Sequence, residues 1–168
     1  MTILIELLPS AGPVLIVGAG RVALRRATQF VAAGFAVEVV APTLDPGFAN
    51  LPAAVVTQRE FQDQDIPGRA VVCACTDVRE VNARVGELAR QLGIPAVVAD
   101  RHEESTFFMP AMHRDGSLVV GVGTGGASPL LAAEVRDRLA ACLGDGWALR
   151  VEESRQARQQ TLGRGERP

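Results

Sequence analysis

Gly18, Gly20 and Ala23 stand in the spacing G-x-G-x-x-A, which lets a backbone cradle a pyrophosphate. The first glycine permits the tight turn, the second admits the ligand against the main chain, and the small third residue lets helix and strand pack closely. Amides at the start of the following helix then face the phosphate charge. The alternative is a structural turn that binds nothing. Asp100 follows an apolar run and offers a carboxylate able to accept a proton; its bland alternative is a cap on the next loop. Thr76 and Asp77 follow another apolar run, on the sheet edge that carries the glycine turn. Their placement predicts contact with the ribose or nicotinamide end of a dinucleotide, with Asn82 in support, or else helix capping by Asp77 ahead of Glu80.

Composition removes other chemistry. The chain has 168 residues, 48 % apolar and 21 % charged, an ordinary globular balance. All 17 of its basic side chains are Arg, and Tyr is absent. A Schiff-base lysine, a Walker-type phosphate loop and a Tyr–Lys proton relay are therefore excluded. The net charge of −2 and the lack of basic runs argue against a nucleic-acid partner. No apolar stretch suits a membrane span, and the N-terminal stretch lacks the basic start of a signal peptide. Cys73, Cys75 and Cys142 form no even framework and read as buried small apolar residues in a reducing compartment. No metal site is expected, since His102 and His113 lack ligand spacing.

The elements that must hold these residues alternate. Strands are predicted over 13–17, 36–41, 54–57, 70–74 and 96–99, and helices opening out of the glycine turn (18–23) to about Gly34 and from about Glu80 to Leu92. This alternation predicts an α/β, Rossmann-type doubly wound parallel sheet. After Asp100 the pattern changes to two strands, 106–112 and 117–122, joined by a turn at His113-Arg114-Asp115-Gly116. A helix from Pro129 to about Leu143 follows, with Ser128 as N-cap. The expected domains are a cofactor-binding domain over 1–112, a small α+β dimerisation region over 113–145 and a shortened helical tail over 146–168, frayed from Leu162. The acid expected about twenty positions past the glycine turn is missing at 41–43, which leaves NAD against NADP open. Glu38 lies within the second strand and Asp45 beyond it.

Several strings in order resemble one family. Val-Gly-Ala-Gly-Arg-Val-Ala-Leu-Arg-Arg-Ala (17–27), Val-Val-Ala-Pro (39–42), Cys75-Thr76-Asp77, Val81-Asn82, Asp100, Ser105 to Pro110 and Gly125 to Pro129 look like the N-terminal half of siroheme synthase. That half is a precorrin-2 dehydrogenase and, in some members, a sirohydrochlorin ferrochelatase. The resemblance implies NAD-dependent oxidation of precorrin-2 to sirohydrochlorin by a cytoplasmic homodimer, with Asp100 as the acid/base residue. It implies cofactor contacts at Gly18, Gly20, Arg21, Val22, Ala23, Pro42, Thr43, Thr76, Asp77 and Asn82. It implies substrate contacts at Arg101, His102, Met109, Thr124, Gly125, Gly126 and Ser128, with His113 and Arg114 as further candidates for a substrate carboxylate. Alternatively, Thr124 to Pro129 is a bend that aims a dimer helix.

Two departures bear on the expectation. The Asn that relatives often carry before the key aspartate is absent from 96–99. Too few residues follow Leu143 for the family's C-terminal helical domain, which helps cover the tetrapyrrole, so chelation stays open. The rival reading is an NAD-sensing regulatory or scaffold module without catalysis of its own.

Overall fold

The computed structural model describes residues 2–163. Ile5–Phe108 forms one compact unit, and the described residues on either side of it form a second.

In the first unit, apolar runs bounded by Pro or Gly become strands. These are β1 (Val14–Val17), β2 (Val37–Val40), β3 (Ala54–Thr57), β4 (Val71–Ala74) and β5 (Ala96–Val98). All pairings are parallel, in the order β3-β2-β1-β4-β5. That is the expected doubly wound α/β sheet. β1 and β4 are neighbours although β2 and β3 intervene in sequence, so the connections leave them in opposite directions. Ligands bind open α/β sheets at such a switch point, beyond the carboxyl ends of the strands.

Helix α1 (Arg21–Ala32) buries Ala23, Ala27 and Phe30, and α2 (Arg79–Gln91) buries Asn82, Val85, Gly86 and Ala89. Leu15, Val17, Val72, Ala74, Val85, Ala89 and Val98 build one core layer. The outer edge of β5 is closed by side chains rather than by another strand. Val98 N donates to Ser105 Oγ at 2.9 Å and Ala96 N to Thr106 Oγ1 at 2.8 Å, while Thr106 N donates to Ala96 O at 2.8 Å. An edge satisfied in this way offers no row of free donors to another chain.

The second unit holds β6 (Ala111–Asp115) and β7 (Leu118–Val122), antiparallel, with α3 (Pro129–Leu143) and α4 (Trp147–Gly163). This corrects the expected strand over 106–112 and the turn at 113–116. Thr106 is occupied with β5, and Pro110 has no amide to give to a ladder. His113, Arg114 and Asp115 therefore lie within β6, and the reversal falls at Gly116, at φ +57°. Ser128 caps α3 as expected, its side chain accepting from Leu131 N at 3.2 Å, with Pro129 as the first helical residue. Asp115 Oδ2 accepts from Trp147 N at 2.8 Å and Ala148 N at 3.2 Å, so the end of β6 caps the start of α4. Of the stretch expected to fray, Leu162 and Gly163 close α4; 164–168 lie outside the described residues. Cys73 and Cys75 are buried, but Cys142 is exposed on α3, against the expectation that it is buried. Among the described residues no helix is long and apolar enough to cross a membrane.

Candidate active site

Gly18 leaves β1 at φ +102°, a conformation that disfavours any side chain. A Cβ there would lie 2.5 Å from the Cys75 carbonyl oxygen. The turns after β1 and β4 are thus in direct backbone contact at the switch point. Gly20 differs: its φ is −85°, and a Cβ would meet nothing within 4 Å. It faces open space, which is where a ligand would approach the main chain. Ala23 is fully buried against the sheet.

Helix geometry leaves the amides of Arg21, Val22 and Ala23 without intrahelical partners. No side chain caps them, and no acid stands in the first turn of α1. The result is an uncapped helix start with no acid in its first turn, suited to a pyrophosphate. Pro42 and Thr43 are exposed just after β2. Asp45, the first acid beyond β2, is engaged locally: its Oδ1 accepts from Gly47 N at 2.8 Å. The residues present fit a bound dinucleotide.

Beyond β4 a closed polar network begins. Asn82, 1 % exposed, uses every hydrogen-bonding position it has. Its Oδ1 accepts from Thr76 N at 3.0 Å and Thr76 Oγ1 at 2.8 Å. Its Nδ2 donates to Thr76 O at 2.9 Å and to Asp100 Oδ1 at 2.9 Å. Because a carboxylate only accepts, the Asn82 amide can face Asp100 in one orientation alone. Asp77 is exposed and caps nothing: the residue before α2 is Val78, whose amide donates to Thr76 Oγ1 at 3.1 Å. The capping alternative for Asp77 is thereby removed.

Arg79 went unnoticed in the sequence. Its Nη1 donates to both Asp100 oxygens, at 3.2 and 3.4 Å, and its Nη2 donates to Glu104. The Glu104 carboxylate, followed by Asp100, raises the Arg79 guanidinium pKa above its ordinary value. Cys75, beside Gly18, lies against Arg26, but burial pushes its thiol pKa up, and Cys73 is displaced upward too. Both stay neutral thiols, unsuited to nucleophilic work.

Arg101 is exposed and pairs with Glu103 at 3.7 Å, and the exposed His102 ring lies 5.7 Å from Phe108. Met109 is half-buried in the second unit. There, Thr124 Oγ1 accepts from Ser128 N at 3.1 Å across a turn in which Gly125 and Gly126 take φ +64° and +85°. The structure thus groups Gly18, Gly20, Thr76, Asn82 and Asp100 within one unit, while Met109 and Thr124 to Ser128 belong to the other.

Residues 7–111 match the model of a protein family described as "Putative NAD(P)-binding". The chain belongs to this NAD(P)-binding family. Within it, the expected resemblance to siroheme synthases is found. "Siroheme synthase 3" of Aeromonas hydrophila subsp. hydrophila is 42 % identical over 134 residues, covering 78 % of this chain and 29 % of that one. The siroheme synthase of Nitrosomonas europaea is 33 % identical over 142 residues, covering 82 % of this chain and 30 % of that one. The chain therefore spans under a third of the length of these relatives. Among solved structures, "SirC, precorrin-2 dehydrogenase" superposes with a TM-score of 0.67 at 24 % identity, over 90 % of this chain and 75 % of that one. That likeness bears on the fold. It agrees with an NAD(P)-binding chain built as a parallel Rossmann-type sheet.

Proposed function

We propose that this chain is an NAD-dependent precorrin-2 dehydrogenase, which oxidises precorrin-2 to sirohydrochlorin. The observation that carries the reading is the juxtaposition at the switch point. An uncapped glycine turn suited to a pyrophosphate meets the turn after β4 at Gly18 and Cys75, and Asn82 ties that second turn to Asp100. When bound, NAD supplies the acceptor for a hydride. Oxidation of a ring bond removes one hydrogen as hydride and a second as a proton, and Asp100 takes the proton. Its Oδ1 is committed to Asn82, whereas Oδ2 keeps room for an incoming proton.

In this reading Gly18, Gly20, Arg21, Val22 and Ala23 hold the pyrophosphate. Pro42 and Thr43 border the adenosine ribose, and Thr76 and Asp77 border the nicotinamide end. Asn82 acts behind Thr76 rather than on the cofactor, since its amide has no bonding capacity left. Arg101 and His102 in the first unit offer cationic donors to the tetrapyrrole's carboxylates; Met109, Thr124, Gly125, Gly126 and Ser128, in the second unit, are substrate contacts on the strength of the family resemblance alone. In this reading cofactor binding belongs to the unit Ile5–Phe108, and dimerisation and the helical tail to the second unit, whose strand β6 (Ala111–Asp115) the boundary expected at 112/113 would cut.

The chain works as a cytoplasmic homodimer. Ala132 is the single buried apolar residue after Phe108 among those described, while Leu130, Leu131, Val135 and Leu139 of α3 are exposed. A two-stranded hairpin and two helices without a core gain their stability by covering that face with a second copy. Its three cysteines are free, which suits a reducing compartment. Conversion of precorrin-2 with and without NAD tests the function.

A further inference from the structure

We propose that Arg79 is a positioning residue for Asp100 and that Glu104 tethers Arg79 so that it steers the carboxylate without capturing it. The inference rests on the dehydrogenase reading and deepens it. Strong arginine–carboxylate pairs are bidentate, with two nitrogens at about 2.7–2.9 Å from two oxygens. Asp100 receives only one nitrogen of Arg79, at 3.2 and 3.4 Å. The other nitrogen is held by Glu104. Glu104 is itself fixed, because Arg90 of α2 donates to its main-chain oxygen at 3.2 Å.

The fork of Arg79 is thus split between two carboxylates, Nη2 on Glu104 and Nη1 alone on Asp100. From the other side Asn82 pins Asp100 Oδ1 at 2.9 Å. Asp100 is left with a fixed direction and an oxygen, Oδ2, whose single contact is the loose one to Nη1. That is the state a proton acceptor needs: oriented, yet not engaged by two strong donors. All three side chains are about one-third exposed, so a substrate can reach them.

The two partners therefore act in opposite ways. Without Arg79, Asp100 keeps only the bond to Asn82 and turns about it. Without Glu104, Arg79 brings both nitrogens to Asp100 and occupies Oδ2. Either loss slows proton removal, but the losses are not independent, since Glu104 acts only through Arg79.

Steady-state kinetics of Arg79→Gln, Glu104→Gln, the double variant and Arg79→Lys, each in the full chain, test this, alongside crystal structures of the first two. A misplaced acceptor costs on the order of ten- to a hundredfold in rate. Arg79→Gln is expected to lose that much in kcat, with KM for NAD changed less than about twofold. The double variant should be no slower than Arg79→Gln alone. Arg79→Lys should recover part of the loss, because one ammonium restores the charge but not the split fork. In the Glu104→Gln crystal, Arg79 should contact Asp100 through two nitrogens. An unchanged kcat in Arg79→Gln, additive losses in the double variant, or an unmoved Arg79 in Glu104→Gln would each overturn the tether. Wild-type protein with no NAD-dependent turnover of precorrin-2 would instead overturn the function reading, and the positioning role with it.

Discussion

Asn82 Nδ2 donates to Asp100 Oδ1 at 2.9 Å, tying the carboxylate beyond β5 to the turn beyond β4. The same amide closes three bonds to Thr76, so the two ends of the site share one buried side chain. Asn82→Leu keeps similar bulk but strands the Thr76 amide and carbonyl, at about 1–3 kcal/mol for each buried group left unpaired. For a chain of this length that lowers Tm by several degrees, at roughly 2–4 °C per kcal/mol. Calorimetry that finds Tm within about 1 °C of wild type would contradict the network.

Gly20→Ala separates binding from folding. Nothing in the protein lies within 4 Å of the added methyl, and φ is −85°. The variant should therefore unfold at the wild-type temperature. The methyl fills the space a pyrophosphate needs, and an overlap of about 1–3 kcal/mol weakens NADH binding by roughly five- to a hundredfold. Fluorescence titration with NADH reads this, and wild-type affinity would exclude the glycine turn as the phosphate site. Gly18→Ala should fail earlier, in folding, because of its φ and its contact with the Cys75 carbonyl.

Arg59 grips Asp65 through two nitrogens, at 2.8 and 2.6 Å, and lowers the carboxyl pKa of this buried residue below the ordinary value. The folded pKa lies below the unfolded one, so the stabilisation is complete above the unfolded value, near pH 4. It is lost as pH falls through the lower, folded value. The stability gap between wild type and Asp65→Asn should hold at neutral pH and narrow below about pH 4. A gap that stays constant through acid unfolding would contradict the ion pair's part in stability.

The exposed stripe of Leu131, Val135 and Leu139 on α3 is the face that the proposed homodimer would cover. Light scattering should give the mass of two chains. Leu131→Glu with Val135→Glu should give one chain with NADH binding kept, since the cofactor turn lies in the other unit. A monomeric wild type would refute the homodimer.

The sheet was legible because its signals are local. Val14–Val17 and Val71–Ala74 are short apolar runs buried on both faces, and the glycine turn follows the first directly. The strand over 106–112 was misplaced for a reason that composition hides. Phe107, Phe108 and Met109 look like a strand, yet Ser105 and Thr106 are engaged at the edge of β5. The strand that does form contains His113, Arg114 and Asp115, because β6 is only half covered. Asp100 and Asn82 were readable from their motifs, but their bond was not. Arg79 and Glu104 were missed altogether: an ion pair across the loops at one sheet edge has no signature in spacing, and each residue alone reads as a solvated charge.

The proposed function requires that this chain oxidise precorrin-2 with NAD, using Asp100 as the proton acceptor. The direct measurement is sirohydrochlorin formation, followed by its absorbance, with wild-type protein and Asp100→Ala in the presence and absence of NAD. Product should form with wild type only when NAD is present. Asp100→Ala should bind NADH as wild type does and form none. Turnover by Asp100→Ala at the wild-type rate would contradict the role of the carboxylate. A wild type that binds NAD without converting precorrin-2 would leave a dinucleotide sensor in place of an enzyme.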